Sequence, residues 1–148
     1  MRLAAIACLL ISSAALAQTP AASDGLYQAW GGKAGIRAVI DDFVPRLYAD
    51  PRTAAFFKDA NRENLATQLT DQLCQESGGP CVYKGVTMKL AHQDLDIGRR
   101  DFNALVEILQ QAMDAKGIPF AAQNGMLAKL APMHREIVTP VSDSQQPR

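Results

Sequence analysis

The chain has 148 residues, 48% of them hydrophobic, with 15 Lys+Arg against 15 Asp+Glu. That neutral balance, with no basic run, excludes the electrostatic footprint of a nucleic-acid binder and the polybasic signal of a membrane-surface protein. It leaves a small or uncharged partner, and the length beyond the N-terminal leader, about 130 residues, suits one domain with a real core.

The opening segment reads MRLAAIACLLISSAALAQ. Arg2 gives a positive start, an apolar run follows, and Ala15-Leu16-Ala17 ends in the small-x-small pattern of a signal-peptidase site. The run falls short of the roughly 20 residues a membrane span needs. Residues 1–17 are therefore read as a signal peptide cleaved near Ala17–Gln18, with a periplasmic or secreted mature protein and no membrane segment in it. A lipoprotein cleavage at Cys8 is the alternative, but it would divide the apolar run. Residues 18–25 read as a flexible leader, 26–139 as the folded domain and 140–148 as a flexible tail.

A short helical segment over Leu26–Ala29 is stopped by Gly31-Gly32. A second helix is predicted from Lys33 to Tyr48, with Ile36, Val39, Ile40, Phe43 and Leu47 forming its stripe. Pro45 should remove one backbone bond inside it and kink it. Phe56-Phe57 falls in a connection, and Asn61 is the expected N-cap of a helix carrying Leu65, Leu69 and Leu73. After Ser77-Gly78-Gly79-Pro80 comes an irregular, glycine-containing stretch to Thr87, then a short helical piece from Met88 to about Gln93. Arg99–Lys116 is periodic through Phe102, Leu105, Val106, Leu109 and Met113 and stops at Gly117. A last helix is expected over about Phe120–Val138, bent at Pro132. No segment alternates with period two, so the fold class is all-α.

Once Cys8 leaves with the leader, Cys74 and Cys81 remain, and a secreted context favours their oxidation. Along an unbroken helix they would lie roughly 10 Å apart at 1.5 Å per residue, beyond bridging distance. The Gly78-Gly79-Pro80 turn must reverse the chain for a disulfide to close; two buried thiols are the alternative. Two cysteines and two scattered histidines do not make a structural zinc site, and no nucleophile elbow, phosphate loop or dinucleotide fingerprint is present. Asp41-Asp42 and Asp94/Asp96 read as solvated charges. His134, between Met133 and Arg135, reads as a solvated flank residue. His92, just after the irregular stretch, is a lone histidine whose spacing alone makes it a weak ligand candidate.

Taken in order, Leu26-Tyr27-Gln28-Ala29-Trp30-Gly31-Gly32, Val39-Ile40-Asp41-Asp42-Phe43, Ala49-Asp50-Pro51, Phe56-Phe57, Gly78-Gly79-Pro80, Tyr83-Lys84-Gly85 and Met88-Lys89-Leu90-Ala91-His92 resemble the group I truncated haemoglobins. The likeness covers about residues 26–138. It implies a two-over-two helical sandwich around haem b, with His92 as axial ligand to iron and the other ring nitrogen bonded to a carbonyl or water. Phe57 matches the phenylalanine packed on the porphyrin edge. Met88, Phe102 and Val106 are candidates for haem packing, and Tyr83 and Lys89 for positions near the propionates.

On the distal side the sequence departs from the family pattern. The resemblance places Val44 where members carry a tyrosine for bound dioxygen, and Leu65 and Leu69 where glutamine is frequent. None of the three donates a hydrogen bond. A kinked second helix would bring Tyr48 toward the pocket, and Gln68 and Gln72 are further candidate donors.

The implied function is reversible binding of O₂, NO or CO at a His-ligated iron. A haem redox, NO-dioxygenase or peroxidase-like role, dependent on an external reductase, is the first alternative. A haem-free helical interaction module is the second. A monomer or weak dimer is expected.

Overall fold

The structure is a computed structural model that describes residues 22–139. The predicted signal peptide and tail lie outside the described residues. Every regular element is helical: α1 (Ala22–Ala29), α2 (Gly32–Ala49), α3 (Ala54–Phe57), α4 (Arg62–Glu76), α5 (Met88–His92), α6 (Arg99–Ala115), α7 (Phe120–Leu130), a 3₁₀ turn (Ala131–Met133) and α8 (His134–Ile137). The all-α expectation holds.

α2 is the spine. Ile36, Val39, Ile40, Phe43, Val44 and Leu47 are all buried along it, and both α4 and α6 pack against it. α7 lies against α1 and α4, and α5 lies against α8. α6 is joined to the C-terminal segment by side chains, Gln123 Nε2–H donating to Asp114 Oδ1 at 2.8 Å and Phe102 meeting His134, and the helices assemble as the expected sandwich around α2. Trp30 locks its corner: the buried indole Nε1–H donates to the Ala122 carbonyl at 3.2 Å, fastening the end of α1 to α7.

α2 runs through Pro45 as the sequence predicts, with the proline ring exposed. Two boundaries differ from the sequence expectation. α1 begins at Ala22, so 22–25 belong to the helix rather than to the leader; the apolar signal starts only at Leu26 and misses the leading turn. The expected final helix is divided at the 3₁₀ turn, where Pro132 lacks the N–H that would continue the α pattern.

The ends of α4 explain the geometry that follows. Asn61 Oδ1 accepts the Asn64 N–H at 2.9 Å, an N-cap as predicted. At the C-terminus Gly78 adopts φ 85°, its N–H donates to Gln75 O at 3.0 Å, and the Gly79 N–H donates to Cys74 O at 2.8 Å. This is the Schellman closure, which satisfies carbonyls that the ending helix leaves free. Gly79 is required for space: a Cβ there would meet the Tyr27 ring at 2.5 Å and the Cys74 carbonyl at 2.8 Å. The reversal leaves Cys74 and Cys81 disulfide-bonded with Cα atoms 5.7 Å apart.

Gly79→Ala should therefore lower stability by about 1–3 kcal/mol, the usual cost of overpacking. Urea unfolding checks this: the midpoint should fall at unchanged slope.

Candidate functional site

His92 ends a helix of five residues, too short to be stable by itself. Thr87 caps it by accepting the Leu90 N–H at 3.3 Å. The half-buried imidazole is oriented from within the same turn, with Nδ1 2.7 Å from the Met88 carbonyl oxygen. A carbonyl only accepts, so Nδ1 carries the proton and Nε2 presents its lone pair away from the helix. That is the tautomer a metal-binding imidazole needs.

The elements around His92 are joined by side chains. Gln72, buried on α4, donates its amide to the sulfurs of Met88 and Met133, both at 3.4 Å. Phe102 on α6 meets His134 on α8 edge-on, with ring centroids 4.8 Å apart. α4, α5, α8 and α6 are thus linked in series around His92. Leu65 and Leu69 of α4, Met88 of α5, and Phe102, Leu105 and Val106 of α6 remain only half-buried, as does Phe57 of α3. A close-packed core would bury them. A flat apolar group beside a free Nε2 fits this arrangement of residues.

The other expected positions divide. Val44 is buried in the core of α2, and Leu65 and Leu69 pack at the core's margin. Tyr83 is half-buried on the loop; its hydroxyl donates to the Val86 carbonyl at 3.0 Å and its N–H to Gln75 Oε1 at 2.8 Å. Desolvation pushes its phenol pKa up. Lys89 is exposed on α5, and Gln68 is half-buried on α4.

Tyr48 does not turn inward. Its hydroxyl donates to the Ala60 carbonyl at 2.8 Å, its ring lies 6.0 Å from Phe57, and Arg62 stacks 4.1 Å over it. With α2 continuous through Pro45, this tyrosine stays fastened to the α3–α4 connection. Gln72 is likewise turned toward Met88 and Met133. His134, expected in solvent, is half-buried against Phe102. Met133 and Gln75 were not singled out as site residues; only their places beside His134 and Cys74 hint at them.

The acidic pairs carry no metal site: among the described residues no group of three or more His, Cys, Asp or Glu could hold an ion. Asp41 pairs with Arg37 at 2.7 Å and Asp42 with Arg46 at 2.6 Å. Asp50 and Glu107 share Arg52, whose hydrogen bonds hold the Asp50 carboxyl below its ordinary pKa.

Comparison with known proteins agrees with this geometry. The family model described as bacterial-like globin matches residues 25–139. A group 1 truncated hemoglobin, GlbN, of Mycolicibacterium paratuberculosis is 30% identical over 114 residues, covering 77% of this chain and 84% of that protein. The Fe(III) crystal structure of truncated hemoglobin from Tetrahymena pyriformis superimposes with a TM-score of 0.74 at 27% identity, over 78% of this chain and 98% of that one. Hemoglobin from the thermophilic phototrophic bacterium Chloroflexus aurantiacus gives a TM-score of 0.67 at 28% identity, over 77% and 98%. This chain belongs to the bacterial-like globin family and, within it, to the group 1 truncated haemoglobins.

Proposed function

We propose that the chain is an exported haem b globin that binds a diatomic gas (O₂, NO or CO) reversibly opposite His92. The observation that carries this is the 2.7 Å contact of His92 Nδ1 with the Met88 carbonyl, which leaves Nε2 for iron. Haem, when bound, supplies the iron that takes the gas. Phe57, Met88, Phe102 and Val106 supply apolar contact for it, and Lys89 a charge beside α5 for its propionates. Tyr83 joins them as a loop contact, through its ring, since its hydroxyl is engaged by Val86.

The distal residues favour rapid release. Val44, Leu65 and Leu69 have no donor, Tyr48 is committed to Ala60, and Gln72 to two sulfurs, which leaves half-buried Gln68 as the one candidate donor of the set not engaged elsewhere. Without a hydrogen bond to charge that builds on bound dioxygen, an interaction worth about 1.5–3 kcal/mol, release is faster by one to two orders of magnitude. Export is supported by the N-terminal leader and by the oxidised cysteine pair, which suits a non-reducing compartment. No helix among the described residues is long and apolar enough to cross a membrane. We further propose a monomer, reduced by an external electron donor.

His92→Ala should abolish the Soret band of the purified, haem-supplemented protein; a wild-type chain that stays colourless would sink the proposal. Tyr48→Phe should cost about 1 kcal/mol of stability and leave the dioxygen release rate unchanged in flash photolysis. A faster release in that variant would make Tyr48 the distal donor. Leu69→Gln places an amide on the half-buried face of α4 and should slow release by about tenfold or more.

A further inference from the structure

The segment that delivers His92 is held to the rest of the molecule mainly by the C-terminal turns of α4. Cys74 bonds Cys81, Gln75 Oε1 accepts the Tyr83 N–H at 2.8 Å, and the Gln72 amide donates to Met88 Sδ at 3.4 Å. The remaining bonds of the segment are internal: Tyr83 to Val86, Leu90 to Thr87, and His92 to Met88. Burial adds little, because Val82 is 65% and Val86 52% exposed. One covalent tie, one ordinary hydrogen bond and one weak N–H···S contact therefore join the segment to α4, while α5 itself also packs against α8. Of the three ties to α4, the covalent one is the one a dithiol opens.

We propose that the Cys74–Cys81 disulfide is a redox latch on haem retention, an inference that rests on the haem reading above. Cys74 is completely buried, whereas Cys81 is half-buried. A dithiol reductant attacks the accessible Cys81 sulfur: its thiolate forms a mixed disulfide, the S–S bond breaks, and Cys74 leaves as a thiolate that takes up a proton. The second thiol of the reductant then displaces Cys81, which is protonated in turn. Two electrons pass to the protein, and the reductant ends as a disulfide. The open segment keeps the Gln75 and Gln72 contacts and the packing of α5 on α8, but its covalent tether to α4 is gone. The iron bond to His92 is then made from a mobile support and breaks more often. In an oxidising compartment the latch is closed and haem is kept; in reducing surroundings the same chain surrenders it.

The test uses the full mature chain loaded with haem, oxidised or reduced anaerobically with dithiothreitol. Haem transfer to excess apoglobin is timed by absorbance, thiols are counted, and the iron–histidine stretch is read by resonance Raman. Reduction should expose two thiols, speed haem loss by about tenfold and broaden or lower the stretch. Cys74→Ser/Cys81→Ser should lose haem at the reduced wild-type rate and ignore the dithiol. Should that variant fail to fold, reduced and reoxidised wild type still decide, since reoxidation must restore the slow rate. Equal loss rates with two thiols exposed, or two free thiols before reduction, would overturn the latch and leave haem binding intact. A chain that takes up no haem overturns the haem reading as well.

Discussion

The hydrogen bond from His92 Nδ1 to the Met88 carbonyl is the constraint on which the rest of the site depends. It fixes the tautomer, the ring plane and the direction of Nε2 in one contact. In the proposed haem site it also transfers the problem of orienting His92 toward iron from the side chain to the backbone of α5. A five-residue helix cannot define its own position, so each contact that α5 makes helps to place His92. α8 supplies packing, Thr87 supplies the cap, and Gln72 bridges Met88 to Met133. A buried amide whose donors reach only thioether sulfurs is a poor exchange for water. A leucine at position 72 would pack at lower cost, so the glutamine is better understood as alignment than as stability.

Across the haem site the logic is reversed. α4 presents Leu65 and Leu69, which donate nothing, while its Gln72 and Gln75 are spent on the segment that carries His92. In the proposed site one helix therefore performs two jobs: an apolar wall for the gas and a set of anchors for the segment that carries His92. Tyr48, the nearest available hydroxyl on α2, stabilises the α3–α4 connection instead. On the proposed reading the polar side chains of α4 hold the α5 segment, and apolar neighbours face the bound gas.

Much of the fold was legible because α2, α4 and α6 bury regular stripes, and the Asn61 cap and the Gly78 and Gly117 stops follow local rules. Pro45 sits on the exposed side of α2, where the helix continues through it. What escaped depends on tertiary context. Tyr48 found a carbonyl twelve residues away that no periodicity reveals. His134 looks solvated in sequence because Arg135 and Glu136 follow it, yet the break at Pro132 rotates α8 and brings the ring to Phe102. His92 was weak by spacing and became strong only through the ordered motifs around it. The partner of its Nδ1 follows from helix geometry at i−4.

The two glycine corners, which look independent in sequence, are coupled through one side chain. Tyr27 accepts the Lys33 N–H at 3.0 Å, and its ring lies beside both Gly32 and Gly79. The same ring thus supports the start of α2 and the reversal after α4. That reversal in turn returns Cys81 to Cys74 and releases the chain toward His92. The short first helix and the irregular segment before His92 are one arrangement: α1 is long enough to place Tyr27, and Tyr27 makes the tight turn at Gly79 a packed corner rather than an exposed one. A bulkier residue at position 79 would disturb the α1–α2 corner and the disulfide together, so the position of His92 is set partly by a helix that never touches it.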